Sequence, residues 1–475
     1  MKTNDIMALG LMTFAMFLGA GNIIFPPFLG LEAGEQLMPA MAGFLITAVG
    51  LPALTLIVFG RLSDSKQLTQ PLPTWLATLI WVALLTAVGP AFSMPRAVTV
   101  AYEMGIKPFF SGDHLLTFSV LFCALTLLLA FHPGKLVDYI GKIMTPLLIL
   151  MLCVLAITAV VSPLAAPQAA IGKFEDLALT QGLVQGYMTM DAIAAVGFGW
   201  VVIKNINNKG VTAASTVRRI TLKVALIYAF LMGLCYLAMG YVGATSAPIA
   251  EGVTNGGELL SRYVAHSFGG FGQFLLAAII IMACLTTTVG LTNACTEYYQ
   301  QTFNVPFRRS ATIVVLVTAL IANVGLEQIL ALSLPAILVL CPVAIALILA
   351  ALFYPADKQY QATYVAVITV AFAFGTLDAM SILEMMPANL DSLLSEWLPL
   401  YSAHACWFLP CSLVLLGRKL MAILLSNSVN SAAKSNKIGI QKTETQYTQS
   451  QTSGTQNSET QSSGAQPAGT QTTEA

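Results

Sequence analysis

Phe17 to Pro27, FLGAGNIIFPP, lies inside the first strongly apolar stretch of the chain. An uninterrupted membrane helix would place Leu and Val there; this one holds two glycines, an asparagine and two prolines. Pro26 and Pro27 remove two amide donors, and Gly19 and Gly21 tolerate backbone angles that other residues avoid. The freed carbonyls and amides need partners that lipid does not supply, so a break at this depth implies a lined cavity. The half-helix that ends at the break presents carbonyls suited to a cation. The half-helix that starts there presents amides and the positive end of its dipole, suited to a carboxylate. A packing kink is the plainer alternative, since Gly and Pro are common in membrane helices.

Working outward, the solvent of this chain is lipid. Of 475 residues 57% are hydrophobic and 9% charged, against roughly a quarter charged in soluble domains. The apolar residues fall in blocks long enough to cross a hydrocarbon layer of roughly 30 Å. Met1 to Asp5 run into the first apolar block without a cleavage site, so that block is expected to stay. Net charge is zero and the Lys and Arg residues form no single patch, which sets nucleic-acid binding aside. The eight cysteines all sit in apolar segments without paired spacing and are expected to be small buried hydrophobes. There is no HExxH, no GxSxG and no catalytic cluster, so the chain is not expected to be an enzyme. A sensor should carry a folded soluble domain, and a channel would not need two broken helices.

Apolar runs predict an all-α polytopic protein with spans near 6–29, 37–60, 74–94, 115–132, 141–161, 180–203, 219–243, 272–300, 311–325, 328–353, 362–382 and 397–417. The total is twelve. Counts of eleven or ten stay open, because Val324 to Leu326 leave almost no loop and Asp378 weakens the eleventh span. With both ends cytoplasmic, only Arg96, Lys107, Lys173 and Arg262 of the 22 Lys and Arg residues fall outside, which satisfies the positive-inside rule. The transporter domain is therefore expected over residues 1–420. Residues 427–475 turn to Ser, Thr, Gln, Asn and Gly, low-complexity in full from 449, and predict a disordered cytoplasmic tail.

A second interruption, GYMTMDA at Gly186 to Ala192, sets Tyr187, Thr189 and Asp191 within the sixth span. Spans one and six open two successive five-helix sets, about 6–161 and 180–353, that insert in opposite senses. Two interruptions at matching positions point to an inverted-repeat transporter with two extra helices at about 362–417. Asp191 is an intramembrane acid and a candidate for cation coupling; capping the second half of its helix is the alternative. In the eighth span, Ala283 to Tyr299 carry Thr286, Thr287 and Thr288 on one turn. Their hydroxyls and a carbonyl one turn earlier are ligands for a small hard cation, or else they satisfy carbonyls of their own helix. His132 with Pro133, and Arg96 after Pro95, are expected to anchor helix ends. Asp378 is a candidate proton carrier or a paired acid.

Taken together, GAGNIIFPP, GPAFSMPRAVTVAYE at 89–103, PGKLVD at 133–138, GYMTMD at 186–191 and the Ala283 to Tyr299 stretch resemble the bacterial branched-chain amino acid:cation symporters, in order over residues 1 to about 420. The resemblance implies sodium-coupled uptake of leucine, isoleucine and valine across the bacterial inner membrane, and a LeuT-type five-plus-five inverted repeat with discontinuous helices one and six. By that pattern the amides of Ala20 and Gly21, with Asn22 beside them, meet the substrate carboxylate. Carbonyls near Tyr187, Met188 and Thr189 face the amine, and Phe17, Phe92 and Leu285 line the aliphatic pocket. The cation site would use carbonyls of Ala15, Leu18 and Cys284 with the hydroxyls of Thr287 and Thr288; a slip of one gives Ala283, Thr286 and Thr287. The implied partners are the amino acid, Na+ and the lipid bilayer, with no obligate protein partner. A proton-coupled carrier of the same fold, using Asp191 or Asp378, is the alternative.

Overall fold

The structure, a computed structural model, describes residues 2–62, 65–131, 145–398, 400–401, 404–421 and 424. PGKLVD, His132, Pro133 and the tail 427–475 lie outside the described residues. Residues 1–415 form one compact unit and 416–475 a second; of the second, 416–421 and 424 are described, and they are helical.

Helix α1 (Thr3–Phe17) ends where Leu18 leaves helical space at φ −70°, ψ 82°. Gly19 is extended, and α2 (Ala20–Ala33) restarts at once with Pro26 and Pro27 inside it. The break therefore falls at the glycine and not at the prolines, which α2 accommodates within its length. The second expected span is α3 (Leu37–Leu45) and α4 (Leu51–Phe59), joined by a π-helical turn at Ile46–Gly50.

The third span corrects the expected boundary. Helix α5 (Thr74–Thr86) passes through a π-helical turn at Ala87–Ala91, with Gly89 at φ −84°, ψ −116°, into α6 (Ser93–Gly105). Gly89 and Pro90 bend the chain without ending it, so the span runs past residue 94 and carries Arg96 inward. Helices α7 (Leu115–Ala130) and α8 (Thr145–Val161) follow.

The sixth span is α9 (Phe174–Met188) and α10 (Asp191–Asn208), bent by 47° at the interruption. Met190 sits between them in the left-handed region, φ 67°, at a cost on the order of 1–3 kcal/mol for a residue with a side chain. After α11 (Ala214–Ala244), α12 (Gly256–Phe303) is kinked at Gly269, φ 59°. Helices α13 (Phe307–Ala322) and α14 (Leu326–Phe353) are distinct, because Gly325 at φ 102° turns the chain between them. Asp378 does not interrupt α15 (Gln361–Ile382). In place of a helix starting at 397, a short α16 (Ala388–Trp397) with Asp391 and Glu396 precedes irregular chain. Leu400 and His404 have positive φ there, and the helix begins again at 408.

Among the described residues, six helical runs are able by length and composition to cross a bilayer, and the bent α9–α10 pair makes a seventh; α1, α7 and Leu152–Val161 are shorter apolar helices. Small residues let these helices touch along their backbones. A Cβ at Gly182 of α9 would overlap the Ala40 carbonyl oxygen of α3, and one at Gly43 of α3 would overlap that of Leu179. This close approach seats the sixth-span break against the second span.

Candidate functional site

The two breaks meet. Around them Phe17, Gly19, Ala20, Gly21 and Asn22 face Arg96, Thr189, Asp191, Phe198 and Thr287 across a void of about 10 Å³, room for one water. Helix α2 begins with amides that have no carbonyl four residues back, and Ala20 and Gly21 are its first two residues, so the positive end of α2 opens on the void. The Gly19 amide donates to Asn22 Oδ1 at 3.1 Å.

Asn22 ties the breaks together. Its Nδ2 donates to Asp191 Oδ2 at 2.6 Å and also to the Tyr236 hydroxyl, which itself donates to Asp191 Oδ2 at 2.8 Å. Asp191 is 3% exposed, and its carboxylate oxygen Oδ2 is bonded to Asn22 and Tyr236 and not to an amide of its own helix. The capping alternative is thus not what the side chain does. Thr189 Oγ1 accepts from the Asp191 amide at 3.3 Å and donates to the Gly186 carbonyl at 2.8 Å, holding the turn of the break.

Arg96 corrects the expectation of an end anchor. It is 3% exposed, in α6 beside both breaks. Its Nη1 donates to the Met188 carbonyl at 3.0 Å and Nη2 to that of Thr189 at 3.1 Å, with the Phe25 ring 5.9 Å away. The guanidinium thereby neutralises the carbonyl end of α9. Gly21 makes room for it, since a Cβ there would lie 2.9 Å from Nη2. Sequence reasoning missed this residue by ending the span at 94; GPAFSMPR, with one glycine and two prolines inside an apolar run, carried the signal.

The carbonyls expected to face an amine are therefore engaged: Met188 and Thr189 by Arg96, and Tyr187 by the Met190 amide at 3.0 Å. The Tyr187 and Met188 side chains do not line the void, and the Tyr187 ring points toward Trp407, 6.5 Å away. Phe17 does line it, packed on Phe198 at 4.9 Å and Tyr228 at 4.5 Å. Phe92 and Leu285 do not; Ala97, Ala194, Phe198 and Leu291 take their place.

Between α1 and α12 the slipped register is the one that faces. Thr286 Oγ1 donates to the Ala15 carbonyl at 2.8 Å and to Ala283 at 2.9 Å, and Thr287 Oγ1 donates to Met16 at 2.8 Å. Thr288 turns away, to the Leu285 carbonyl at 3.0 Å and Thr126 of α7 at 3.3 Å. Leu18 and Cys284 are fully buried. These are neutral, buried oxygens of the type a hard monovalent cation takes. Among the described residues no cluster of His, Cys, Asp or Glu would hold a metal ion.

Asp378 is buried in α15, where its Oδ1 accepts from Cys406 Sγ at 3.2 Å while Oδ2 has no hydrogen-bond partner. The cysteines are unpaired, and all but Cys153 are buried. Lys204 of α10 pairs with the buried Glu297 of α12 at 2.8 Å, and Lys209 with Asp5 at 3.6 Å.

The model of the family described as "Branched-chain amino acid transport protein" matches residues 2–425. The branched-chain amino acid transport system 2 carrier protein of Pseudomonas aeruginosa is 39% identical over 87% of this chain and 95% of its own. The branched-chain amino acid permease BrnQ of Salmonella typhimurium is 38% identical over 86% and 94%, and that of Escherichia coli K12 is 36% identical over 86% and 94%. Among solved structures, Mhp1, a nucleobase-cation-symport-1 family transporter in a closed conformation, superposes with TM-score 0.53 at 15% identity, over 85% of this chain and 96% of its own. MhsT, in complex with L-phenylalanine, does so with TM-score 0.51 at 16% identity, over 79% and 98%. These two share the fold expected here, a helical bundle of the inverted-repeat transporter kind. The relatives are named as carriers and permeases, not enzymes, and on the match over 2–425 this chain belongs to the family of branched-chain amino acid transport proteins.

Proposed function

We propose that the chain carries leucine, isoleucine and valine inward across the bacterial inner membrane, driven by sodium. The observation that carries the reading is the pairing of two broken helices around one void with threonine hydroxyls of α12 laid against carbonyls of α1. The substrate carboxylate docks on the first-turn amides of α2, at Ala20 and Gly21, and the aliphatic side chain lies toward Phe17 and Phe198. Sodium sits between α1 and α12 on the carbonyls of Ala15, Leu18 and Ala283 and the hydroxyls of Thr286 and Thr287, replacing the hydrogen bonds those hydroxyls now make.

In this mechanism sodium holds α1 to α12, the substrate draws the four half-helices together, and the bundle rocks to open inward. Coupling is the difference in stability of the outward and inward states with both ligands bound. Sodium and substrate must then raise each other's affinity by the same factor. Twelve spans with both termini cytoplasmic complete the proposed arrangement.

Leucine uptake into proteoliposomes under an imposed sodium gradient tests this, with Thr287→Ala as the comparison. Uptake that requires sodium and collapses in the variant supports the reading. Uptake that ignores sodium and follows a proton gradient moves the coupling to the second reading, favoured by the burial of Asp191 between the breaks; no uptake under either gradient rejects both.

A further inference from the structure

We infer that the amino acid is recognised by charge at both ends: its carboxylate by the guanidinium of Arg96 and its ammonium by the carboxylate of Asp191. This rests on the site proposed above and adds two binding residues to it. Arg96 and Asp191 line one void, each 3% exposed, and among the described residues neither makes an ion pair. Two opposite charges buried at one place usually pair with each other, because each is costly alone in a medium of low polarity. Here they are held apart. Arg96 is fastened by Nη1 and Nη2 to the carbonyls of Met188 and Thr189, while Asp191 is fastened by Asn22 and Tyr236.

The fastening leaves capacity unused on one side. Arg96 Nε is enclosed and has no hydrogen-bond partner, although a guanidinium presents donors along three edges. A carboxylate on that edge would complete its set. Asp191 retains acceptor capacity too, as the hydrogen bonds from Asn22 and Tyr236 both go to Oδ2. A zwitterion is the ligand that supplies one missing anion and one missing cation without changing the net charge of the site. Its carboxylate would lie between the guanidinium and the amides of Ala20 and Gly21, since Gly21 is the residue that gives way to Nη2. The carbonyls of α9 are already bonded, which leaves Asp191 as the acceptor for the amine.

Displacement of radiolabelled leucine from the purified full-length chain, in sodium, distinguishes this from a merely structural arginine. Three probes are compared: leucine, leucinamide with its amine protonated, and 4-methylpentanoate, which lacks the amine. The intact chain should prefer leucine over either analogue on the order of 100-fold. Arg96→Gln should bring the leucine to leucinamide ratio below about 3 while preserving the preference over 4-methylpentanoate, and Asp191→Asn should do the reverse. Because the ratios are read within one variant, they do not depend on how much of it is folded. Arg96→Lys, which keeps the charge, should restore part of the leucinamide discrimination and serves where the glutamine variant fails to fold. If Arg96→Gln weakens leucine and leucinamide by the same factor, the arginine only braces the end of α9 and the inference falls. If the intact chain binds no leucine at all, the proposed function falls with it.

Discussion

Asn22 and Asp191, 169 residues apart in the chain, are joined by a 2.6 Å hydrogen bond that crosses from the first turn of one half-helix to the first turn of another. Each residue begins where a span is interrupted, so the bond is possible only when both interruptions come to the same depth and face. Asn22→Ala removes it together with the contact to Tyr236. The buried carboxylate then keeps the Tyr236 hydroxyl and loses its amide, at about 1–3 kcal/mol. A lower melting temperature and weaker leucine uptake are expected; an unchanged melting curve would show that the bond contributes nothing.

The α12 threonines should separate cleanly. Thr286→Ala and Thr287→Ala each remove a hydroxyl facing α1 and should raise the sodium concentration for half-maximal uptake by about tenfold or more, one lost ligand being worth about 1.4 kcal/mol or above. Thr288→Ala, whose hydroxyl faces α7, should leave sodium dependence within about threefold. The measurement is uptake against sodium concentration, and a Thr288 effect equal to that of Thr287 would return the ion site to the other register.

Gly21 is sterically committed. A methyl there would lie 2.9 Å from Arg96 Nη2 and 3.3 Å from the Thr189 Cα, and the backbone atom cannot swing aside. Gly21→Ala should reduce leucine uptake at least tenfold, through roughly 1–3 kcal/mol of overpacking at the junction of the breaks. Gly233→Ala, which meets nothing within 4 Å, is the control expected to transport normally.

The Lys204–Glu297 pair is unequally buried, with side chains 40% and 7% exposed. Lys204→Met strands the carboxylate inside the bundle and should cost on the order of 2 kcal/mol, whereas Glu297→Gln leaves an ammonium that water can reach and should cost under about 1 kcal/mol. Thermal unfolding of the two variants checks the order, which a larger loss in Glu297→Gln would contradict.

Much of the site was legible before the fold. Glycine, proline and acid inside apolar runs have no favourable place against lipid, so their presence marked both interruptions, with Gly19, Gly21, Thr189 and Asp191 inside them; the hydroxylated turn of the eighth span marked Thr287, and the roles given to Phe17, Ala20 and Asn22 came from the family resemblance. Arg96 was not assigned to the site, because a charged residue after Pro95 is equally what a helix end looks like. The composition of a short segment does not say whether the chain continues beyond it. The choice between Thr286 and Thr288 beside Thr287 stayed open for a related reason: adjacent helical positions differ by about 100° in direction, and only the neighbouring helix decides which of them faces it.

The sequence by itself determined the solvent, the helical class and the two places where the backbone must leave the helix, since these follow from local chemistry in lipid. Only the tertiary structure decided what those places meet. That the end of α9 is bonded by an arginine from α6, that Asp191 turns to Asn22 and Tyr236 instead of its own helix, and that Thr286 and Thr287 lie on α1 all depend on contacts between residues more than 40 positions apart. Such contacts are set by how small residues let helices approach and rotate, and no pattern within one helix encodes that.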